Sequence, residues 1–142
     1  MPTHKIQLEL AEIDRKNYHV FLNASVGKKQ CRLLLDTGAS KTVLDAERVL
    51  QFVKPAQILK HESKSVGLGT ADMETSTAKL RNVQMGRVHF ASLSIAILPL
   101  GHVNDAYNMI GLPTIDGVLG SDFLVKYKCV IDFEKVVLKL KK

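Results

Sequence analysis

Along most of the chain the apolar positions alternate with polar ones. Ile6, Leu8 and Leu10 are separated by Gln7 and Glu9, the period of two that suits a half-buried strand. After a polar break from Asp14 to Asn17, YHVFLNASV and QCRLLL flank Gly27-Lys28-Lys29, so Tyr18 to Leu35 predicts a hairpin. Strand patterns return from Leu80 to Val83 and from Val88 to Leu98. A last pair follows: KCVIDF, a turn at Glu134-Lys135, then VVLKL. Helical spacing is rarer. Ala46, Val49, Leu50 and Val53 fall at i, i+3, i+4 and i+7, with Asp45 placed to cap them and Lys54-Pro55 to stop them. This spacing predicts a helix over residues 46–53, and a second short one starts at Ser121. Residues 101–117, GHVNDAYNMIGLPTIDG, read as irregular. Residues 63–78, SKSVGLGTADMETSTA, hold few large apolar side chains and read as an exposed hairpin with a mobile tip. The sum is a mainly β chain, a closed barrel or sandwich with one or two short helices.

Length adds that the 142 residues form one domain, 1–142, with a single core. The formal charge of +6 does not point to nucleic acid, because the 20 Lys and Arg are dispersed and few aromatic residues interleave with them. Only Lys28-Lys29 and the tail from Lys139 to Lys142 are locally basic. No apolar run approaches the roughly 20 residues that cross a bilayer, and MPTHKIQLELAEI lacks the apolar stretch of a signal peptide. The expectation is a soluble, cytoplasmic protein without membrane or nucleic-acid partners, its Asn23-Ala24-Ser25 sequon unused. Cys31 and Cys129, in apolar segments far apart, are expected as reduced, buried thiols.

Most catalytic chemistries find no foothold. The five histidines, at 4, 19, 61, 89 and 102, show neither HExxH spacing nor cysteine partners at zinc-ligand intervals, so no metal site is expected. A GxSxG elbow and a Walker loop are absent. Gly67-Leu68-Gly69 starts like a dinucleotide fingerprint but lacks its third glycine, the strand before it and the helix after it, so no cofactor is expected.

The carboxylates remain, and one is unusual. In LLLDTGASKTVLD, Asp36 directly follows the fully apolar Leu33 to Leu35. A carboxylate in apolar surroundings is costly unless paired or hydrogen-bonded. Gly38 permits a tight turn whose N–H groups can hold it, Thr37 offers a hydroxyl that can lock one loop to another, and Ala39 keeps the adjacent space small. Asp-x-Gly after a strand is also a common turn, and the tripeptide alone leaves both readings open.

Three motifs in order extend the pattern. LLLDTGASKTVL resembles the apolar-apolar-Asp-Thr-Gly-Ala motif of retroviral proteases and the Thr-Val-Leu that follows it. Val118-Leu119-Gly120 resembles the second signature of the same family, two apolar residues and a glycine before a short helix. A Gly-containing hairpin, Val66 to Met73, lies between them where that family carries its flap. The chain thus resembles the retropepsin-like aspartic proteases over most of its length. The resemblance implies a closed barrel of the acid-protease type and an aspartic endopeptidase acting on peptide or protein substrates.

Such chemistry needs two aspartates sharing a proton. Only one Asp-Thr-Gly occurs, since Asp116-Gly117 lacks the hydroxyl residue, and the simplest resolution is a two-fold homodimer with Asp36 from each chain. The resemblance further implies that Thr37 bonds to the partner's loop, that Gly38 and Ala39 lie beside the substrate backbone, and that Val43 lines a side-chain pocket. It makes Gly67, Leu68 and Gly69 the flap tip, Asp122 with Thr42 a brace of the active-site loop, and the terminal strands near Ile6 to Leu10 and Val136 to Leu140 candidates for a dimer sheet. Ser40 and Lys41 stand where retroviral enzymes carry acidic residues, and Ser121 replaces an arginine. Ala39, where pepsin-like sites often carry a hydroxyl, implies a less acidic activity optimum. The alternative is a retropepsin-like dimeric module that binds peptides or proteins with little or no cleavage. A plain β-barrel interaction protein with a chance Asp-Thr-Gly is the remaining reading.

Overall fold

The structure is a computed structural model that describes residues 1–63 and 73–142. The N-terminal alternation forms two strands, β1 (Thr3–Gln7) and β2 (Glu9–Asp14), broken at Leu8. Ile6 and Leu8 are buried and Leu10 is exposed, because the chain leaves one sheet for another between them. The hairpin follows as β3 (Asn17–Val26) and β4 (Lys29–Leu35), joined through Gly27 at φ +61°, a left-handed conformation that glycine adopts without strain. Beyond it come β5 (Val43–Asp45), β6 (Leu59–Ser63), β7 (Met73–Met85), β8 (Val88–Leu98), α1 (Gly101–Met109), β9 (Gly117–Leu119), α2 (Ser121–Lys126), β10 (Val130–Asp132) and β11 (Val137–Lys141).

The eight-stranded sheet runs β2-β3-β4-β9-β5-β8-β7-β6, and β3 also pairs with β7, so the six strands from β3 to β7 in that order form a ring with β2 and β6 at its margins. Its centre is an interleaved crossing. β4 runs parallel to β9, β9 antiparallel to β5, and β5 parallel to β8. A second sheet, β1-β11-β10, brings the two ends of the chain together, with Ile6 opposite Leu138. The terminal strands put forward for a dimer sheet therefore pair within one chain.

The main core fills the ring. Leu22, Leu44, Val49, Leu119, Leu138 and Leu140 are fully buried in it. Phe90, Phe123 and Tyr127 meet with ring centroids 4.7 to 5.4 Å apart and fasten α2 to β8. A smaller cluster, Phe21, Leu100, Tyr107 and Ile115, seats α1 on β3.

Two expectations are corrected. Residues 46–53 form only a 3-10 turn, Arg48–Gln51. The Ala46 N–H donates to the Leu98 carbonyl (3.0 Å), so the ladder claims the first turn of the expected helix, and Pro55 opens another short 3-10 turn. Residues 101–109, read as irregular, form α1. Leu100, Val103, Asn104 and Tyr107 have helical spacing once Asn104 counts as inward, and its side chain accepts from the Ile115 N–H (2.8 Å) and donates to the Ile115 carbonyl (3.1 Å). A buried amide paired in this way does the work of an apolar side chain, but hides the period.

Candidate active site

Strand β4 delivers Asp36 to the surface. Leu33 and Leu35 are buried beneath it, while Asp36, Thr37 and Gly38 are exposed and Ala39 half-buried. The Asp36 N–H donates to the Leu119 carbonyl (3.1 Å), which continues the β4–β9 pairing one residue further. The chain then turns, with the Ala39 N–H on the Asp36 carbonyl (3.2 Å). The Gly38 N–H donates to Asp36 Oδ1 at 2.9 Å, which fixes the direction of the carboxylate. A Cβ at position 38 would stand 3.2 Å from that oxygen, so glycine lets the loop fold closely around it.

The loop is clamped from the other side by the segment that follows β9. The Ser121 N–H donates to the Ala39 carbonyl (2.7 Å). The Gly120 N–H donates to Thr42 Oγ1 (3.1 Å), and the Thr42 hydroxyl in turn donates to Asp122 Oδ1 (2.8 Å). Asp122 Oδ2 accepts the Thr42 N–H (3.1 Å), and Oδ1 also accepts the Phe123 N–H (2.8 Å). Burial works against ionising Asp122, but these donors and nearby Lys41 outweigh it and hold the carboxyl below its ordinary 3.8. Thr42 and Asp122 are thus joined, and Val118, Leu119 and Gly120 form the strand and turn beneath the loop. Position 120 admits no side chain, because a Cβ there would stand 2.6 Å from the Lys41 carbonyl oxygen. Val43 is buried, paired in register with Val118 and Ala96. The expected flap residues, Gly67, Leu68 and Gly69, lie outside the described residues.

A second set of carboxylates lies behind the crossing. In the sequence Asp45 has the place of a local cap, and Asp116 lacks the hydroxyl residue of an Asp-Thr-Gly motif. Asp45 does accept the Glu47 and Arg48 N–H groups (3.1 and 3.0 Å), but its other oxygen accepts the Leu100 N–H (2.7 Å) from across the sheet. Burial opposes its ionisation, yet these three backbone donors, with Arg48 beside them, hold the carboxyl below 3.8. Asp116 accepts Arg48 Nε (2.6 Å) and the Arg32 N–H (2.8 Å). Its backbone meets the Arg32 carbonyl and the Asp45 N–H. Gly117 is demanded here too, since a Cβ would collide with the Val43 carbonyl oxygen. The pair Asp-Gly at 116–117 signals only a turn in sequence. Its partners are 68 to 84 residues away, beyond the reach of any local pattern.

The chain has two free thiols, and burial disfavours the thiolate of each. Burial, reinforced by Asp116, pushes Cys31 up to about 12, and burial alone pushes Cys129 to about 11. Among the described residues no three His, Cys, Asp or Glu side chains cluster as a metal site, and no helix is long and apolar enough to cross a membrane.

An aspartate presented at the end of an interleaved strand crossing, on a loop clamped by a glycine turn and a short helix, defines a lobe of the acid-protease type. The family model for aspartyl proteases matches residues 22–123, which contain both Asp36-Thr37-Gly38 and Val118-Leu119-Gly120, and the chain belongs to that family. Among solved structures it is similar to a retropepsin-like aspartic protease from Rickettsia conorii, with a TM-score of 0.61 and 20% identity over 98% of this chain and 91% of that one. It is also similar to the retroviral protease-like domain of Ddi1 from Leishmania major, with a TM-score of 0.50 and 14% identity over 84% of this chain and 86% of that one. At such identities the shared property is the retropepsin-like fold. A comparison with the curated proteins found no match.

Proposed function

We propose that the protein is an aspartic endopeptidase whose catalytic pair consists of Asp36 from each chain of a homodimer. The observation that carries this is the placement of Asp36. Its carboxylate is exposed at the end of a buried strand, and one oxygen is fixed by the Gly38 N–H. Two such carboxylates brought face to face cannot both ionise easily, so they share one proton. The ionised member removes a proton from water as it attacks the scissile carbonyl carbon, and the protonated member donates to the carbonyl oxygen. The carbon–nitrogen bond of the tetrahedral intermediate then breaks, with a proton passing to the departing amine. The pair regains its single proton at the end.

In this reading Thr37 reaches across to the partner's loop, and Gly38 and Ala39 form the floor beside the substrate backbone. Val43 borders a side-chain pocket, and Gly67, Leu68 and Gly69 cover the bound peptide. Thr42, Asp122 and the Val118-Leu119-Gly120 turn keep Asp36 in place. We assign the protein to the cytoplasm, where two free, protonated thiols stay reduced. The likeness to a domain described only as protease-like supports a second reading, a dimeric peptide-binding module with little cleavage.

The test is incubation with a diverse peptide mixture between about pH 3 and 8, the wild type beside Asp36→Asn. Cleavage by the wild type alone supports the endopeptidase. Equal cleavage by both removes Asp36 from the mechanism. Binding without cleavage at every pH selects the second reading.

A further inference from the structure

Next to the clamped loop lies a groove of about 690 Å³, on the face of β7 and β8 opposite the core. Leu59 and Ala96 supply apolar floor, and hydroxyls of Thr75, Thr77 and Ser94 line it. Three cations stand around it: Lys41, Lys79 and Arg81. Lys79 and Arg81 are alternate residues on the same face of β7, across from Ser94 and Ser92, so no cross-strand acid balances them. Neither forms an ion pair among the described residues. Among the described residues the one carboxylate of the lining, Asp122, is engaged by Thr42 and the Phe123 N–H. A smaller hollow sharing Thr42, Ser94 and Asp122 continues the groove toward a fourth cation, Lys126. Lys41 faces Asp122, but Lys79 and Arg81 have no paired acid among the described residues, and such like charges are unfavourable in the empty state and favourable toward an anion.

The groove is also tied to the catalytic loop. Lys41 lies five positions after Asp36, and the Thr42 carbonyl accepts the Ala96 N–H (3.0 Å), which pins the loop to the groove's rim. Its size exceeds what one side chain fills and suits a short run of extended chain.

We propose that this groove receives a segment of the peptide substrate beyond the residues flanking the scissile bond, and that Lys41, Lys79 and Arg81 select an Asp or Glu side chain there. The inference rests on the endopeptidase reading and adds a substrate class to it: peptides with a carboxylate at a fixed distance from the cleavage point. A carboxylate desolvated against these cations gains charge-assisted hydrogen bonds that its amide isostere does not.

A peptide found to be cut is resynthesised with Glu or Gln at each position two to six residues from the cleaved bond. At one position Glu is expected to raise kcat/KM about tenfold over Gln at low salt. The advantage is expected to shrink severalfold in about 0.5 M salt, and to fall to near one in Lys79→Gln/Arg81→Gln. Both side chains lie on the outer face of β7, away from the core, and Lys28→Gln in the β3–β4 turn is the charge control, expected to keep the wild-type ratio. A Glu/Gln ratio within about twofold at all positions, or one that persists in the double variant, overturns the proposal. The same peptides, fluorescently labelled, are then bound to Asp36→Asn. If Asp36→Asn cuts these peptides as fast as the wild type while Glu still binds about tenfold tighter than Gln, the groove stands and the catalytic reading falls. If the wild type alone cuts them and the Glu and Gln peptides are bound alike, the catalytic reading stands and the groove falls.

Discussion

Two groups of aspartates flank the strand crossing, and they are built to opposite ends. Asp45 and Asp116 lie behind it, buried, with both oxygens of each occupied: backbone N–H groups on Asp45, and the Arg48 side chain and the Arg32 N–H on Asp116. Asp36 lies in front, exposed, with the Gly38 N–H on one oxygen. Saturating a buried carboxylate fixes it as a structural tie. Leaving a positioned one open to solvent keeps it available to a reactant, at some expense in stability. Asp122 stands between the groups. It is saturated like the structural pair, but the loop it ties down is the one that carries Asp36.

The contrast breaks most sharply at its ends. Asp36→Asn is expected to lower cleavage by about a thousandfold or more while urea unfolding changes by less than about 0.5 kcal/mol. Asp116→Ala is expected to do the reverse. It strands the Arg32 N–H and the half-covered Arg48, costing about 2–3 kcal/mol in the same urea titration, with peptide turnover per folded molecule close to wild type. If Asp116→Ala instead kept its stability and lost turnover, the division between the two groups would be wrong.

Gly120→Ala tests the clamp. Its methyl group would meet the Lys41 carbonyl, so a loss of about 2 kcal/mol or more is expected by thermal or urea unfolding. Thr42→Val should be milder, since it keeps the volume but removes one hydroxyl from between Gly120 and Asp122. About 1–2 kcal/mol of stability and a several-fold fall in kcat are expected, with KM little changed.

The smallest effect is in acid. Asp45 and Asp122 both titrate below their ordinary 3.8 in the folded chain. The unfolded chain therefore takes up protons first as pH falls. The stability these groups provide is complete above the ordinary carboxylate value and is lost as pH drops through their lower folded values. Urea midpoints measured from pH 6 to 2 should hold steady to about pH 4.5 and then decline, and Asp122→Asn should flatten the decline. A midpoint independent of pH down to 2 would contradict the assigned shifts. Acid that protonates Asp122 also loosens the loop beneath Asp36, which would favour a cleavage optimum above strongly acid pH.

What could be read from the chain divides along the same line. The strands announced themselves, because the alternation in Ile6 to Leu10 or Val88 to Leu98 is local and needs no partner to be seen. Asp36 stood out because three leucines lead into it, a conflict between neighbours. Asp116 did not stand out, since its meaning lies in Arg32 and Arg48, far away in sequence. The helix misread at residues 46–53 and the one missed at 101–109 fail for one reason, a long-range bond that overrides a local period. In the first, Leu98 takes the N–H that would have started the helix. In the second, Ile115 satisfies Asn104 so fully that a polar residue sits on the inward face.

The central claim is that one Asp36 is half a site. It is tested most directly by adding Asp36→Asn to a fixed amount of wild type and following peptide cleavage after the chains have exchanged. If the site spans two chains, equal amounts of the variant should halve the activity and a ninefold excess should leave about a tenth of it, as random pairing dilutes the intact dyads. Activity unchanged by any excess of Asp36→Asn, with exchange demonstrated by labelled chains, would show that a single chain cleaves alone and would contradict the account.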